Sequence, residues 1–279
     1  MSQATTFEKQ VAEGDRFEFG KNWERFLSVL DETRIGEAER SLREMLRVSN
    51  LQGRRFLDIG CGSGLFSLAA MRLGAAQVHS FDFDPQSVGC AESLKRRFYP
   101  QATHWTTERG SVLDPKYLQG LGQWDLVYSW GVLHHTGALW EALTNVTPLV
   151  APGGLLFISI YNDQGLPTRW WLRVKRLYNK GLLGRTLVCS VYFPYFVLTG
   201  LAADLVKRRN PLRRYREYRA VRGMSKVRDW VDWLGGYPFE VAKPEQVFEF
   251  YRDRGFDMIR LKTCAGGLGC NEYVFRRGQ

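Results

Sequence analysis

The stretch FLDIGCGSG, from Phe56 to Gly64, limits the folds open to this chain more than any other. A short apolar run ends in Asp58, and Gly60, Gly62 and Gly64 follow at alternate positions. Such a run bounded by glycine reads as a buried strand. The glycines allow torsions closed to other residues and let a ligand approach the main chain. The helical pattern LFSLAAMRLG comes next and ends at Gly74. A strand, a glycine turn and a helix open an α/β sheet of the kind that binds ligands at the carboxyl ends of its strands.

The alternation continues. QVHSFDF, THWTTERG, WDLVYSW and GGLLFISIYN read as strands, and PQSVGCAESLKRRF (with Pro85 at its start) and ALWEALTNVTPLV as the helices between them. PEQVFEFYRDRG is a late helix, and MIRLKTC and NEYVFRR form a closing pair of strands. Repeated strand–helix units predict a parallel sheet covered on both faces. The short glycine-rich link between the last two strands predicts an antiparallel hairpin. Ahead of the first strand, apolar spacing from Lys21 to Leu46 predicts two helices, with the break at Ile35-Gly36.

One segment departs from this rhythm. Of 39 basic and 29 acidic residues, 16 and 4 respectively fall between Gly165 and Phe239, so the net charge of +10 belongs to that segment. It holds WWLRVKRLYNK, the uncharged run TLVCSVYFPYFVLTGLAA, the basic run KRRNPLRRYREYR and then VRDWVDWLGGYPF. The division that follows is a helical lid over residues 1–50, a core over 51–164 and 240–279, and a basic, aromatic, mostly helical insertion over 165–239. The five cysteines show no CxxC and no regular spacing, which speaks against a disulfide framework or zinc knuckle. The polar start MSQATTFEKQVAEGDRFEFG has no apolar leader core, so a cytoplasmic location is expected.

The glycine turn alone is a weak signal, because nicotinamide and flavin enzymes use a similar one. Here the pattern is GxGxG, and Asp58 stands inside it. A carboxylate there repels a pyrophosphate and suits a ligand with an ammonium group. Asp82 closes the second strand, where a carboxylate about 20 residues beyond the loop accepts hydrogen bonds from ribose hydroxyls. The two together indicate a nucleoside with a cationic portion.

At this point DIGCGSG, FDFDP, GSVLD, WDLVYSWGVLHH and LVAPGGLLFISIYN resemble the successive motifs of class I S-adenosylmethionine-dependent methyltransferases. The closest style is that of the ubiquinone-type O-methyltransferase and benzoquinol methylase group. The resemblance covers Arg54 to Asn162 and Pro244 to Arg277, but neither the N-terminal helices nor the insertion. It implies a seven-stranded Rossmann-like sheet of order 3-2-1-4-5-7-6 and S-adenosyl-L-methionine as cofactor. It also implies Asp58 and Gly60 to Gly64, Cys61 among them, against the methionine part, and Asp82 on the ribose. Phe83 would pack on the adenine, with Ser111 and Val112 at its edge. The family often has an acidic residue where this chain has Ser111, which leaves the adenine amino contact to Ser111 or to main-chain groups.

The sulfonium makes its methyl group an electrophile, so the protein's task is to align a nucleophile in line and exclude water. A hydroxyl acceptor loses a proton as the bond forms, and histidine is well placed to take it. In SWGVLHH, Ser129 and Trp130 are expected to border the methyl group, with His134 and His135 just beyond. Adjacent side chains diverge and no HxxH or carboxylate cluster lies near, so no metal is expected. At most one histidine should face the pocket, and His135 is preferred on the family position. Asp163 in NDQG is a further acid/base candidate, although a turn role is more natural for it. Asn271 and Glu272 are expected to touch substrate or to end the hairpin. Trp23 is read as a lid over the methionine end, with Lys21 or Asn22 near its carboxylate.

The insertion should select the acceptor. Three readings compete: an interfacial surface making peripheral contact with a membrane, a lid whose arginines pair with an anionic acceptor, and an RNA-binding patch. No RNA module is visible, so nucleic acid is disfavoured. Pro194 and the polar residues in the uncharged run argue against a true membrane span. The expectation is methyl transfer to a small-molecule, glycan or lipid-linked acceptor, at oxygen by preference. Transfer to carbon, nitrogen or RNA is the rival within enzymes, and a cofactor-binding regulatory protein without turnover is the rival of another class.

Overall fold

Strand β1 (Arg55–Ile59) is buried on both faces, and its pleat sorts its side chains between two cores. Phe56 points into a core shared with Leu68, Val78 and Tyr128, and Leu57 and Ile59 into one shared with Val127, Leu156 and Phe275. Each fully buried Phe, Leu or Ile contributes about 1.5–3 kcal/mol. The computed structural model describes residues 3–208, 210 and 226–279. Its sheet adds β2 (Gln77–Asp82), β3 (Trp105–Arg109), β4 (Trp124–Trp130), β5 (Val150–Tyr161), β6 (Phe256–Lys262) and β7 (Cys270–Arg277). Their order is β3-β2-β1-β4-β5-β7-β6. The first five run parallel, and β7 pairs antiparallel with both β5 and β6. Sheet order and closing hairpin both match the sequence expectation.

Three helices precede β1: α1 (Gln3–Ala12), α2 (Gly20–Leu27) and α3 (Glu32–Leu46). The break expected at Ile35-Gly36 lies instead at Asp31, whose carboxylate caps α3 by accepting from the Arg34 amide. A good N-cap decides where a helix starts, whereas a single interior glycine only weakens it. Helices α4 (Leu65–Arg72), α5 (Pro85–Phe98), α6 (Pro115–Leu121) and α7 (Leu139–Val146) link the parallel strands. Proline at the first turns of α5 and α6, behind the capping carboxylates Asp84 and Asp114, fixes their starts. Between β5 and β6 come α8 (Leu166–Tyr178), α9 (Gly181–Val206), α10 (Lys226–Gly235) and α11 (Pro244–Arg252). Most of the basic run KRRNPLRRYREYR lies outside the described residues.

Candidate active site

The carboxyl ends of β1, β2 and β4 meet where the connections leave in opposite directions along the sheet, a place that opens a crevice. A cavity of about 860 Å³ occupies it, within the ~300–1,000 Å³ of small-molecule sites. The glycine loop forms its floor. Gly60 has φ 72°, and a Cβ on it would lie 2.3 Å from Val132 Cγ1. Gly62, at φ 53°, meets the Trp23 indole in the same way, at 2.9 Å. Both positions combine a left-handed backbone with a close approach that excludes any side chain.

Asp58 enters this floor at the end of a buried hydrogen-bond chain. The Trp105 indole N–H donates to Ser80 Oγ at 2.9 Å, Ser80 and Ser67 hydroxyls meet at 2.7 Å, and Ser67 Oγ lies 2.5 Å from Asp58 Oδ2. Burial pushes the Asp58 carboxyl up to about 7. Asp82 stands across the loop. Its Oδ2 accepts from the Gly62 amide at 3.0 Å and its Oδ1 from the Asp84 amide at 2.9 Å. Burial raises Asp82 to about 6. Two carboxyls held above their ordinary range, beside glycines with no room for Cβ, fit a ligand with positive charge and hydroxyl groups.

The N-terminal helices roof the cavity. Trp23 packs over Gly62, and Phe7 meets the Phe83 ring edge-on at 5.5 Å. The Arg16 guanidinium lies over Phe83 at 5.0 Å and donates to the carbonyls of His135 (3.0 Å) and Thr136 (3.4 Å). Lys21 instead pairs with Glu18 at 2.7 Å, and the Asn22 amide donates to Asp232.

His134 and His135 occupy a single 3-10 turn, Leu133–His135. The following loop pins it: the Glu240 amide donates to the His134 carbonyl at 3.0 Å, and His135 Nδ1 lies 2.5 Å from the Pro238 carbonyl. A carbonyl only accepts, so Nδ1 carries the proton and Nε2 is left as an acceptor. Burial, with Lys175 and Arg16 adding to it, lowers His135 to about 3. His134 is fully buried, and neither ring nitrogen makes a well-formed hydrogen bond, although the Ser159 main chain lies on its side of the ring. Burial and the His135 ring hold it well below its ordinary range. It packs on Tyr161 with ring centroids 4.2 Å apart. From the insertion, Asp232 and Trp233 complete this end of the cavity. Lys175, fully buried behind them, donates to the Trp233 carbonyl and sits 4.5 Å from its ring; burial lowers it to about 7.

Most of the residues expected from sequence converge here. Asp58, Gly60, Cys61, Gly62, Asp82, Phe83, Ser111, Val112, Trp130, Trp23, His134 and His135 all line the cavity. Three do not. Ser129 is turned away by the pleat and donates to the Ile59 carbonyl at 3.1 Å. Gly64 starts α4, and its Cα side faces Ala91 of α5, where a Cβ would lie 2.8 Å from the Ala91 Cα. Asp163 closes a turn by accepting from the Gly165 amide at 2.8 Å. Asn271 ends the hairpin, accepting from the Cys264 amide and donating to Asn162. Arg16, Asp232 and Trp233 carry no motif signal, and only their three-dimensional placement brings them to the cavity. Among the described residues no three His, Cys, Asp or Glu side chains converge as a metal centre requires.

A family model described as a methyltransferase domain matches residues 30–190. Ubiquinone biosynthesis O-methyltransferase of Rhizobium etli is 30% identical over 112 residues, covering 40% of this chain and 43% of that protein. Ribosomal protein L11 methyltransferase of Methylococcus capsulatus is 46% identical over 54 residues, covering 19% of this chain and 18% of that protein. The chain spans less than half the length of the curated relatives it matches. Among solved structures, magnesium protoporphyrin IX methyltransferase from Synechocystis with bound SAH superposes with TM-score 0.53 at 14% identity, over 92% of this chain and 95% of that one. That likeness concerns the fold.

Proposed function

The chain belongs to the methyltransferase domain family, and from that premise we propose that it transfers a methyl group from S-adenosyl-L-methionine to a hydroxyl of a small-molecule, glycan or lipid-linked acceptor. When bound, the donor supplies an electrophilic methyl on a sulfonium. Asp82 would accept hydrogen bonds from its ribose, Asp58 and the side-chain-free backbone of the glycine loop would lie against its amino-acid end, and Phe83 with Ser111 and Val112 would border the base. Trp23 and the N-terminal lid exclude water. The observation that carries the reading is the fixed tautomer of His135: Nδ1–H is spent on Pro238, which leaves Nε2 an acceptor on a side chain that lines the same cavity.

A histidine held at about 3 cannot deprotonate a resting alcohol. It can take the proton late, once the oxygen has begun to bond to carbon and has become strongly acidic. His135 therefore orients the hydroxyl first and accepts its proton as the transfer completes. The insertion supplies the acceptor's wall through Asp232 and Trp233, and residues 1–50 supply the roof. An O-methyltransferase of the ubiquinone type is the finer reading, supported by the Rhizobium etli relative. Incubating the purified protein with methyl-labelled donor and a cell extract tests it. Label in a methyl ether product that His135→Gln fails to form supports the reading. Label in amines, carbon or RNA moves it to the rival acceptors, and tight donor binding with no transfer to any fraction leaves a cofactor-binding regulator.

A further inference from the structure

Helix α9 is 26 residues long, and most of its surface is uncovered. Leu183, Leu187, Val191, Leu198, Leu201 and Leu205 recur three to seven residues apart and fall on one stripe. Leu183 is 87% exposed, Leu198 65% and Leu205 80%. At 1.5 Å per residue the stripe runs about 33 Å. No charged residue interrupts the sequence from Thr186 to Ala203. A soluble surface helix normally turns its polar face outward, and this one does the reverse. Contiguous apolar exposure on this scale marks an interaction surface.

The stripe cannot be hidden by rolling the helix over, because its inner face is already fixed. Tyr192 packs on Trp171 of α8 at 5.2 Å, and Phe193 and Phe196 pack on Trp230 of α10 at 5.8 and 5.3 Å. The ends of the stripe are basic: Lys180 and Arg185 at one, Lys207 and Arg208 at the other, all exposed. Arg169 and Arg173 stand exposed on the adjacent α8. Trp170 is 56% exposed, and its indole N–H donates to Tyr192 Oη at 2.7 Å, so an exposed aromatic ring with a polar edge stands beside α9. Two copies laid stripe to stripe would bring cationic ends together in either orientation, which disfavours self-pairing. An apolar strip between cationic ends is complementary instead to acyl chains beneath anionic headgroups.

We propose that the outer face of α9 docks on an anionic lipid bilayer, with the helix lying in the plane of the interface. The apolar stripe enters the acyl boundary, Trp170 sits at headgroup depth, and the arginines and lysines meet the phosphates. The helix is long and apolar enough to cross a bilayer, but its aromatic inner face is committed to α8 and α10, which keeps it in register with the rest of the fold. The α10 that packs on the inner face of α9 also carries Trp233 to the cavity, so the contact surface and the acceptor wall are joined through one helix. This proposal stands apart from the catalytic reading, and its test needs no methyl transfer.

Co-sedimentation of the full chain with vesicles of phosphatidylcholine, with and without phosphatidylglycerol, measures it. Binding should be about tenfold tighter with the anionic lipid and should weaken with salt. The triple variant Leu183→Glu, Leu187→Glu and Leu198→Glu should lose vesicle binding while keeping its thermal melt and its affinity for S-adenosylhomocysteine. The pair Lys207→Glu and Arg208→Glu should lose only the preference for anionic vesicles. Equal pelleting of the wild type and the triple variant overturns the proposal. So does a concentration-dependent dimer that the triple variant abolishes, which would make a second copy the occupant. Retention in membranes after alkaline carbonate extraction would make α9 a span and overturn it too.

Discussion

The two walls of the cavity are built by opposite means. One is made of strand ends and a glycine loop, where Gly60, Gly62, Asp58 and Asp82 sit within one short turn or on neighbouring strands. The other is made of helices and one interhelical bend far apart in the chain, with Arg16 and Trp23 ahead of the sheet and Asp232 and Trp233 between β5 and β6. The first is held by main-chain geometry that leaves no freedom for substitution. The second is held by side-chain packing that could be re-cut for another acceptor. A fold organised in this way keeps its donor chemistry constant while its acceptor chemistry varies.

The largest effect that separates the walls is on donor affinity. Asp82→Ala should weaken S-adenosylmethionine binding roughly 100-fold, since two charge-assisted hydrogen bonds of about 1.5–3 kcal/mol are at stake. Trp233→Ala should leave that affinity within about threefold and impair acceptor turnover instead. Calorimetry on both variants checks this, and equal losses would dissolve the distinction between the walls. Next comes the seam between them. His135→Gln should lower the turnover number about 100-fold with donor affinity unchanged, in keeping with a lost proton acceptor. An unchanged turnover would reduce His135 to a wall residue.

A third effect concerns pH. Burial holds Asp58 at about 7 and Asp82 at about 6, above the ~4 of an unfolded carboxyl. Between those values the folded protein binds more protons than the unfolded chain, so these groups reduce stability as pH rises through that window. A cationic donor favours the ionised forms, so its affinity should rise by about tenfold from pH 5 to pH 8. Calorimetry across that range measures it, and a flat profile would remove the carboxyls from donor binding. The smallest effect lies outside both walls. Gly36 sits mid-helix in α3 with nothing within 4 Å of an added Cβ, so Gly36→Ala should stabilise the protein by about 0.5–1 kcal/mol in chemical unfolding. By contrast Gly60→Ala should destabilise it.

The contrast between walls also explains what the sequence made legible. The strands were readable because buried apolar runs bounded by glycine have few other interpretations, and the residues at their ends came with them. Ser129 shows the limit of that logic: it ends a correctly placed strand, but the pleat directs its neighbour Trp130 to the cavity instead. Gly36 misled in the other direction, since a glycine in open space inside a helix looks in sequence like one that ends it. Arg16, Asp232 and Trp233 were illegible for a plainer reason. Asp232 and Trp233 reach the site by the packing of a helix and Arg16 from the bend between α1 and α2, all distant in the chain from the sheet motifs, and no local pattern encodes that.

Arg16 touches both walls. One guanidinium rests on Phe83 and holds the carbonyls of His135 and Thr136. It is therefore a latch shared by both compartments. The roof cannot lift from the donor side without releasing the histidine turn on the acceptor side. Movement of the N-terminal segment at Phe83 and movement of the histidine turn would thus be coupled through one side chain.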